Sequence, residues 1–188
     1  MKIEQFVMAY GVEQDRLRAI LPEGFTSLRP VLRINGEIRD GVEGYLEFNT
    51  AVEKDGVRGW LNIGRWTNVP FTKTGKTTVF RTELLEISFT GVGLAGGCPA
   101  EQDNADCFFQ DGSFRAAEHI TANKEFCDCT FAWQLPGGAP GTSIGKTLPA
   151  VPTEKKITYP KQACTVENAA VIPCGQVLGT YQVVFDRV

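Results

Sequence analysis

Two neighbouring stretches, Val31-Leu32-Arg33-Ile34-Asn35-Gly36-Glu37-Ile38-Arg39 and Gly44-Tyr45-Leu46-Glu47-Phe48-Asn49-Thr50-Ala51-Val52, decide how the chain is read. Each alternates polar and apolar side chains with a period of two, the signature of a strand with two unlike faces. Asp40-Gly41 lies between them, the residue pair that a tight hairpin turn favours. Arg33, Asn35 and Glu37 therefore share one face of the first strand, and Tyr45, Glu47 and Asn49 one face of the second. Such rows are either the solvent side of half-exposed strands or the polar lining of a cavity. Charged groups taken out of water need partners or a ligand.

Working outward, Lys54-Asp55-Gly56 turns the chain into Val57-Arg58-Gly59-Trp60-Leu61-Asn62-Ile63, which completes a three-strand meander. Ile3 to Tyr10 reads as an earlier strand. Between them, Leu17, Ile20 and Leu21 recur at helical spacing within Val12 to Leu21, and Pro22 and Gly24 end that helix. Thr77 to Thr90, Phe126 to Leu135 and Val177 to Phe185 alternate as further strands. Arg115 to Ala122 is helix-like and short, and Pro136 to Pro160 is a long proline- and glycine-rich connection. The fold class that follows is mainly β: an antiparallel β-barrel or barrel-like sandwich with one or two short helices, in a single domain over 1–188.

Composition narrows the function. The chain has 188 residues with a net charge of −3, and its 19 Lys and Arg are scattered, so nucleic acid is not an expected partner. It has no apolar run of membrane-spanning length and no signal-peptide pattern, and a cytoplasmic location is expected. The six cysteines are then expected to be reduced, and with one histidine, His119, no metal site or cofactor is implied. Cys127-Asp128-Cys129 puts two thiols on one strand face, where they can pack as small apolar groups. Gly141-Thr142-Ser143-Ile144-Gly145-Lys146-Thr147 ends like a phosphate-binding loop. Pro140 stands where its first glycine belongs, however, and Pro149 and Pro152 break the helix that should follow.

The order of features resembles the acetoacetate decarboxylase-like β-barrels. The resemblance rests on the opening strand ending in Tyr10, Leu21-Pro22-Glu23-Gly24-Phe25, Arg29-Pro30-Val31-Leu32-Arg33-Ile34, Gly44 to Val52 with Asp55-Gly56-Val57-Arg58-Gly59, and Ile172 to Gly179. It implies a closed or nearly closed β structure with a ligand cavity and frequent homo-oligomerisation. It also implies a catalytic lysine that forms a Schiff base with a β-keto acid, among acidic residues. Glu47 falls where one pocket glutamate would, and Asn35 stands where another is expected. The lysine motif is fragmentary: Gly64-Arg65 and Pro70 remain, but the adjacent lysine pair is absent and Lys73 and Lys76 are displaced.

The expected function is binding of a small organic acid or carbonyl compound, with Glu47, Arg33, Asn35 and Tyr45 as ligand-binding residues. Two alternatives stand beside it. One is a Schiff-base lyase using Lys73 or Lys76, which would make the protein a carbon–carbon lyase, and the other is a non-catalytic β domain for protein association.

Overall fold

The structure is a computed structural model that describes residues 1–101, 107–115, 121–135 and 157–187, with backbone alone for 97–101 and 121. The chain opens with β1 (Lys2–Gly11) and α1 (Gln14–Ile20), then runs through β2 (Thr26–Arg39), β3 (Glu43–Lys54) and β4 (Val57–Thr67). Next come β5 (Phe71–Thr74), β6 (Thr77–Arg81), β7 (Leu85–Glu101), and the short β8 (Cys107–Phe108) and β9 (Phe114–Arg115). It closes with β10 (Thr121–Trp133), α2 (Val166–Ala170) and β11 (Val177–Asp186). Among the described residues these strands form one 11-stranded sheet in the order β5-β6-β7-β10-β11-β1-β2-β3-β4-β8-β9. Neighbours are antiparallel except β4 and β8, which run parallel.

The sheet rolls up on its apolar face. Phe6 on β1 meets Phe80 on β6 at 5.6 Å and Phe89 on β7 at 5.3 Å, although β11 and β10 intervene in the strand order. Phe48 on β3 reaches Trp133 on β10 at 5.1 Å in the same way. Leu46, Phe48, Ile34, Met8 and Phe6 are fully buried in this enclosed core, which α1 and α2 cap through Leu17, Ile20, Val166 and Ala169. Burying each large side chain of this kind contributes about 1.5–3 kcal/mol. Among the described residues the edges β5 and β9 do not pair with one another, so the barrel-like roll is not closed there by hydrogen bonds.

The hairpin turns match the sequence reading. Asp55 and Gly56 have φ of 51° and 78°, the left-handed pair that the twist of a two-residue hairpin requires, and Asp40 and Gly41, at 48° and 76°, are left-handed within the three-residue connection from Arg39 to Glu43.

Two sequence expectations are corrected. Thr77 to Thr90 is not one strand but a hairpin: Thr82 Oγ1 accepts from the amides of Leu84 and Leu85 at 3.2 and 2.9 Å, folding β7 back on β6. That turn contains no glycine, proline, asparagine or aspartate, so nothing in its composition marks it. The helix-like stretch from Arg115 to Ala122 has strand at both ends, since Arg115 ends β9 and Ala122 lies in β10. Residues 116–120, with His119, lie outside the described residues, as do 136–156 with the phosphate-loop-like segment. The rest of the long connection is fastened to α1, with Ile157 N donating to Asp15 Oδ2 at 2.7 Å and the Tyr159 hydroxyl to Glu13 Oε1 at 2.7 Å. The second short helix is α2, which sequence reading did not locate and which is capped by Thr165 Oγ1 accepting from Asn168 N.

Candidate functional site

The polar rows on β2 and β3 are neither a solvent face nor the interior of the roll. They occupy the reverse face from Leu46 and Phe48, and they are nevertheless buried: Asn35 and Asn49 at 0% exposure, Glu37 at 1%, Arg33 at 3%, Glu47 at 8%. Ladder register sets them side by side, with Asn35 opposite Glu47, Glu37 opposite Tyr45, and Arg33 opposite Asn49. β4 extends the same face, placing Arg65 opposite Glu47 and Thr67 opposite Tyr45.

Glu47 is the centre of this arrangement. Its Oε1 accepts from Asn35 Nδ2 at 2.8 Å, and its Oε2 accepts from the Tyr45 hydroxyl at 2.9 Å and Asn62 Nδ2 at 3.4 Å. Asn62 also donates to Asn49 Oδ1 at 3.2 Å. Burial first, and then the negative charge of Glu47, push the Tyr45 phenol well above its usual range, so it stays protonated and donates. Glu37 is held separately. Its carboxylate takes Arg39 Nε at 2.8 Å and Arg187 at 2.8 and 3.3 Å, the pairing that a charge at this depth requires.

Glu37, Arg39, Tyr45, Glu47, Arg65, Thr67 and Arg187 line a cavity of about 330 Å³, completed by Cys107, Phe109 and Arg115. The segment after β8 folds over this face through a tight turn, with Phe109 N donating to Ser113 O at 2.9 Å and Gly112, at φ 80°, donating to Phe109 O at 2.9 Å. Gln110 Nε2 donates to the carbonyl of Ile63, anchoring the turn to β4. The cavity thus carries four arginines and two glutamates.

Of the sequence-derived ligand residues, Glu47 and Tyr45 line the cavity, while Asn35 lies behind them and positions Glu47. Arg33 does not line it; its guanidinium stacks 3.9 Å over the ring of Trp60. Lys73 and Lys76 are elsewhere. They line a more open cavity of about 580 Å³ at the mouth of the roll with Glu4, Phe6, Thr78, Glu125 and Gln182. Both are exposed, and Lys73 Nζ pairs with Glu4 Oε2 at 2.6 Å. Arg39, Arg65, Arg115 and Arg187 were not assigned from sequence. Alternation carries the signal for Arg39 and Arg65, but nothing local marks Arg115 or the near-terminal Arg187.

Elsewhere, Cys127 and Cys129 pack against the main core. Among the described residues, no three His, Cys, Asp or Glu come together as a metal site, and no helix is long and apolar enough to cross a membrane.

A rolled, mainly β sheet with a polar pocket on its reverse face defines a barrel-like class of fold. No family model and no curated protein matches the sequence. Solved structures do match. Acetoacetate decarboxylase from Legionella pneumophila superposes with a TM-score of 0.59 at 11% identity, over 98% of this chain and 81% of that one. A second acetoacetate decarboxylase structure gives 0.55 at 11% identity, over 97% and 84%. The enduracididine biosynthesis enzyme MppR, complexed with pyruvate, gives 0.54 at 10% identity, over 97% and 84%. The fold is therefore acetoacetate decarboxylase-like, and at these identities the likeness concerns the fold.

Proposed function

We propose that the protein binds a small organic acid in the Glu47 cavity, with Arg65 and Arg115 taking its carboxylate. The observation that carries this reading is the charge accounting: Glu37 engages Arg39 and Arg187, whereas Arg65 and Arg115 form no ion pair among the described residues. Guanidinium groups match a carboxylate with two parallel hydrogen bonds. A volume of about 330 Å³ lies at the small end of ligand cavities and admits a small acid. The complex of MppR with pyruvate supports pyruvate as a first probe.

Schiff-base lyase chemistry through Lys73 or Lys76 is less well supported. No lysine among the described residues lines the Glu47 cavity. Lys73 Nζ is exposed and held by Glu4 Oε2 at 2.6 Å, whereas imine formation needs an enclosed amine that is open to a carbonyl. Cys127, Cys129, Cys164 and Cys174 form no disulfide, in keeping with the reducing cytoplasm we propose as its location. Thermal unfolding with pyruvate, lactate or the neutral lactamide tests the binding reading. The acids should raise Tm in a salt-sensitive way and the amide should not. Equal shifts with the amide, or none with any acid, would remove it.

A further inference from the structure

We infer that the acid accepted by this cavity is a hydroxy acid in preference to the matching oxo acid, and that Glu47 makes the choice. The inference rests on the proposed binding of an organic acid in the same cavity. It follows from the donors and acceptors around the Glu47 carboxylate.

Each carboxylate oxygen accepts about two hydrogen bonds. Glu47 Oε2 already takes two, from Tyr45 and Asn62, whereas Oε1 takes one among the described residues, from Asn35. Glu47 lines the cavity, so its remaining capacity is an acceptor that a bound molecule meets. Beside it, the Tyr45 proton goes to Glu47, Arg39 donates Nε to Glu37, and Arg187 donates from both Nη atoms to the same carboxylate. A ketone oxygen placed here would set acceptor against acceptor. A hydroxyl at the same position donates to Glu47 in a charge-assisted hydrogen bond. An ammonium could donate as well, but four arginines against two glutamates disfavour a second cation in the cavity. A site built to hold a hydroxyl discriminates strongly against the analogue that lacks it, because its polar group is then left unpaired.

The test is calorimetric titration of the full chain with two matched pairs, lactate against pyruvate and 3-hydroxybutyrate against acetoacetate, each pair alike in charge and nearly alike in volume. Each hydroxy acid should bind at least about tenfold more tightly than its oxo partner. In Glu47→Gln, whose amide offers a donor, the ratio should collapse toward unity. In Arg65→Gln both members of a pair should weaken together with the ratio kept, and this second variant isolates the role of Glu47 if Glu47→Gln does not fold. An oxo acid binding as tightly as its hydroxy partner, or a ratio that Glu47→Gln leaves unchanged, overturns the inference while leaving acid binding intact. Failure of all four acids to bind overturns the binding reading itself.

Discussion

Arg65 and Glu47 stand directly opposite one another across the β3–β4 ladder, yet their charges do not pair. Glu47 is occupied by Asn35, Tyr45 and Asn62, and the Arg65 guanidinium lies 5.3 Å from the centre of the Phe109 ring. Opposite charges at cross-strand distance would normally associate. With the two unpaired, the cavity offers both a carboxylate acceptor and guanidinium donors, which is the complement of a small acid that carries a donor of its own.

If the arginines take the carboxylate, replacing Arg65 or Arg115 with glutamine should weaken acid binding by about tenfold or more and flatten its salt dependence. Both side chains are exposed, so stability should change by no more than about 0.5 kcal/mol. Titration calorimetry at two salt concentrations, with urea unfolding as the control, checks both.

Glu47→Gln should cost stability even without ligand. The carboxylate receives three donors, and an amide must turn its own N–H group toward one of them. A loss of about 1–3 kcal/mol in urea unfolding is expected. An unchanged midpoint would mean that the three hydrogen bonds do not bind the strands together.

Gly44→Ala should disturb the fold beside the site. A Cβ there would lie 2.1 Å from the carbonyl oxygen of Val69, whose amide donates to the Gly44 carbonyl at 2.8 Å. Backbone on both sides leaves nothing flexible to yield, so a loss of about 1–3 kcal/mol or more is expected, with weakened acid binding because Tyr45 is the next residue. Gly56→Ala has open space around its Cβ but a φ of 78°, so its smaller cost isolates backbone strain from collision.

Alkaline pH should destabilise the protein. Burial pushes the thiols of Cys127, Cys164 and Cys174 from an ordinary 9.0 up to about 11, and it raises the Tyr10 and Tyr45 phenols above their usual range. An acid whose folded pKa is raised keeps its proton in the native state while the unfolded chain releases it. The stability it contributes is therefore whole below pH 9 and is lost as pH climbs toward 11. Urea midpoints should fall across that window, and the same thiols should label slowly at pH 8 until the chain unfolds.

Much of the site was legible because β-structure converts spacing into sidedness. Once Ile34, Leu46 and Phe48 are assigned to a core, Arg33, Asn35, Glu37, Tyr45 and Glu47 must share the reverse face, and the Asp40-Gly41 turn fixes their register. What alternation cannot show is depth. It could not tell a buried reverse face from a solvent one, nor that Arg33 would stack on Trp60 instead of entering the cavity. Arg115 and Arg187 reach the cavity through contacts far along the chain, with Arg187 carried in beside β2 by the pairing of β11 to β1. The break at Thr82 was invisible because a threonine hydroxyl, rather than a turn-forming residue, satisfies the amides there. Lys73 and Lys76 were weighed because they follow the fragments Gly64-Arg65 and Pro70, but the β5–β6 hairpin carries them to a separate cavity with Glu4 and Glu125.

The central claim is that the Glu47 cavity, and not the lysine-lined mouth, holds a small acid. Nuclear magnetic resonance of the arginine Nε–H groups during titration with lactate tests it most directly. Signals of Arg65 and Arg115 should shift and saturate together, while Arg58 and Arg81, paired on the surface with Glu53 and Glu86, stay in place. Saturating shifts confined to residues around Lys73, Lys76 and Glu125, with Arg65 and Arg115 unmoved, would contradict it.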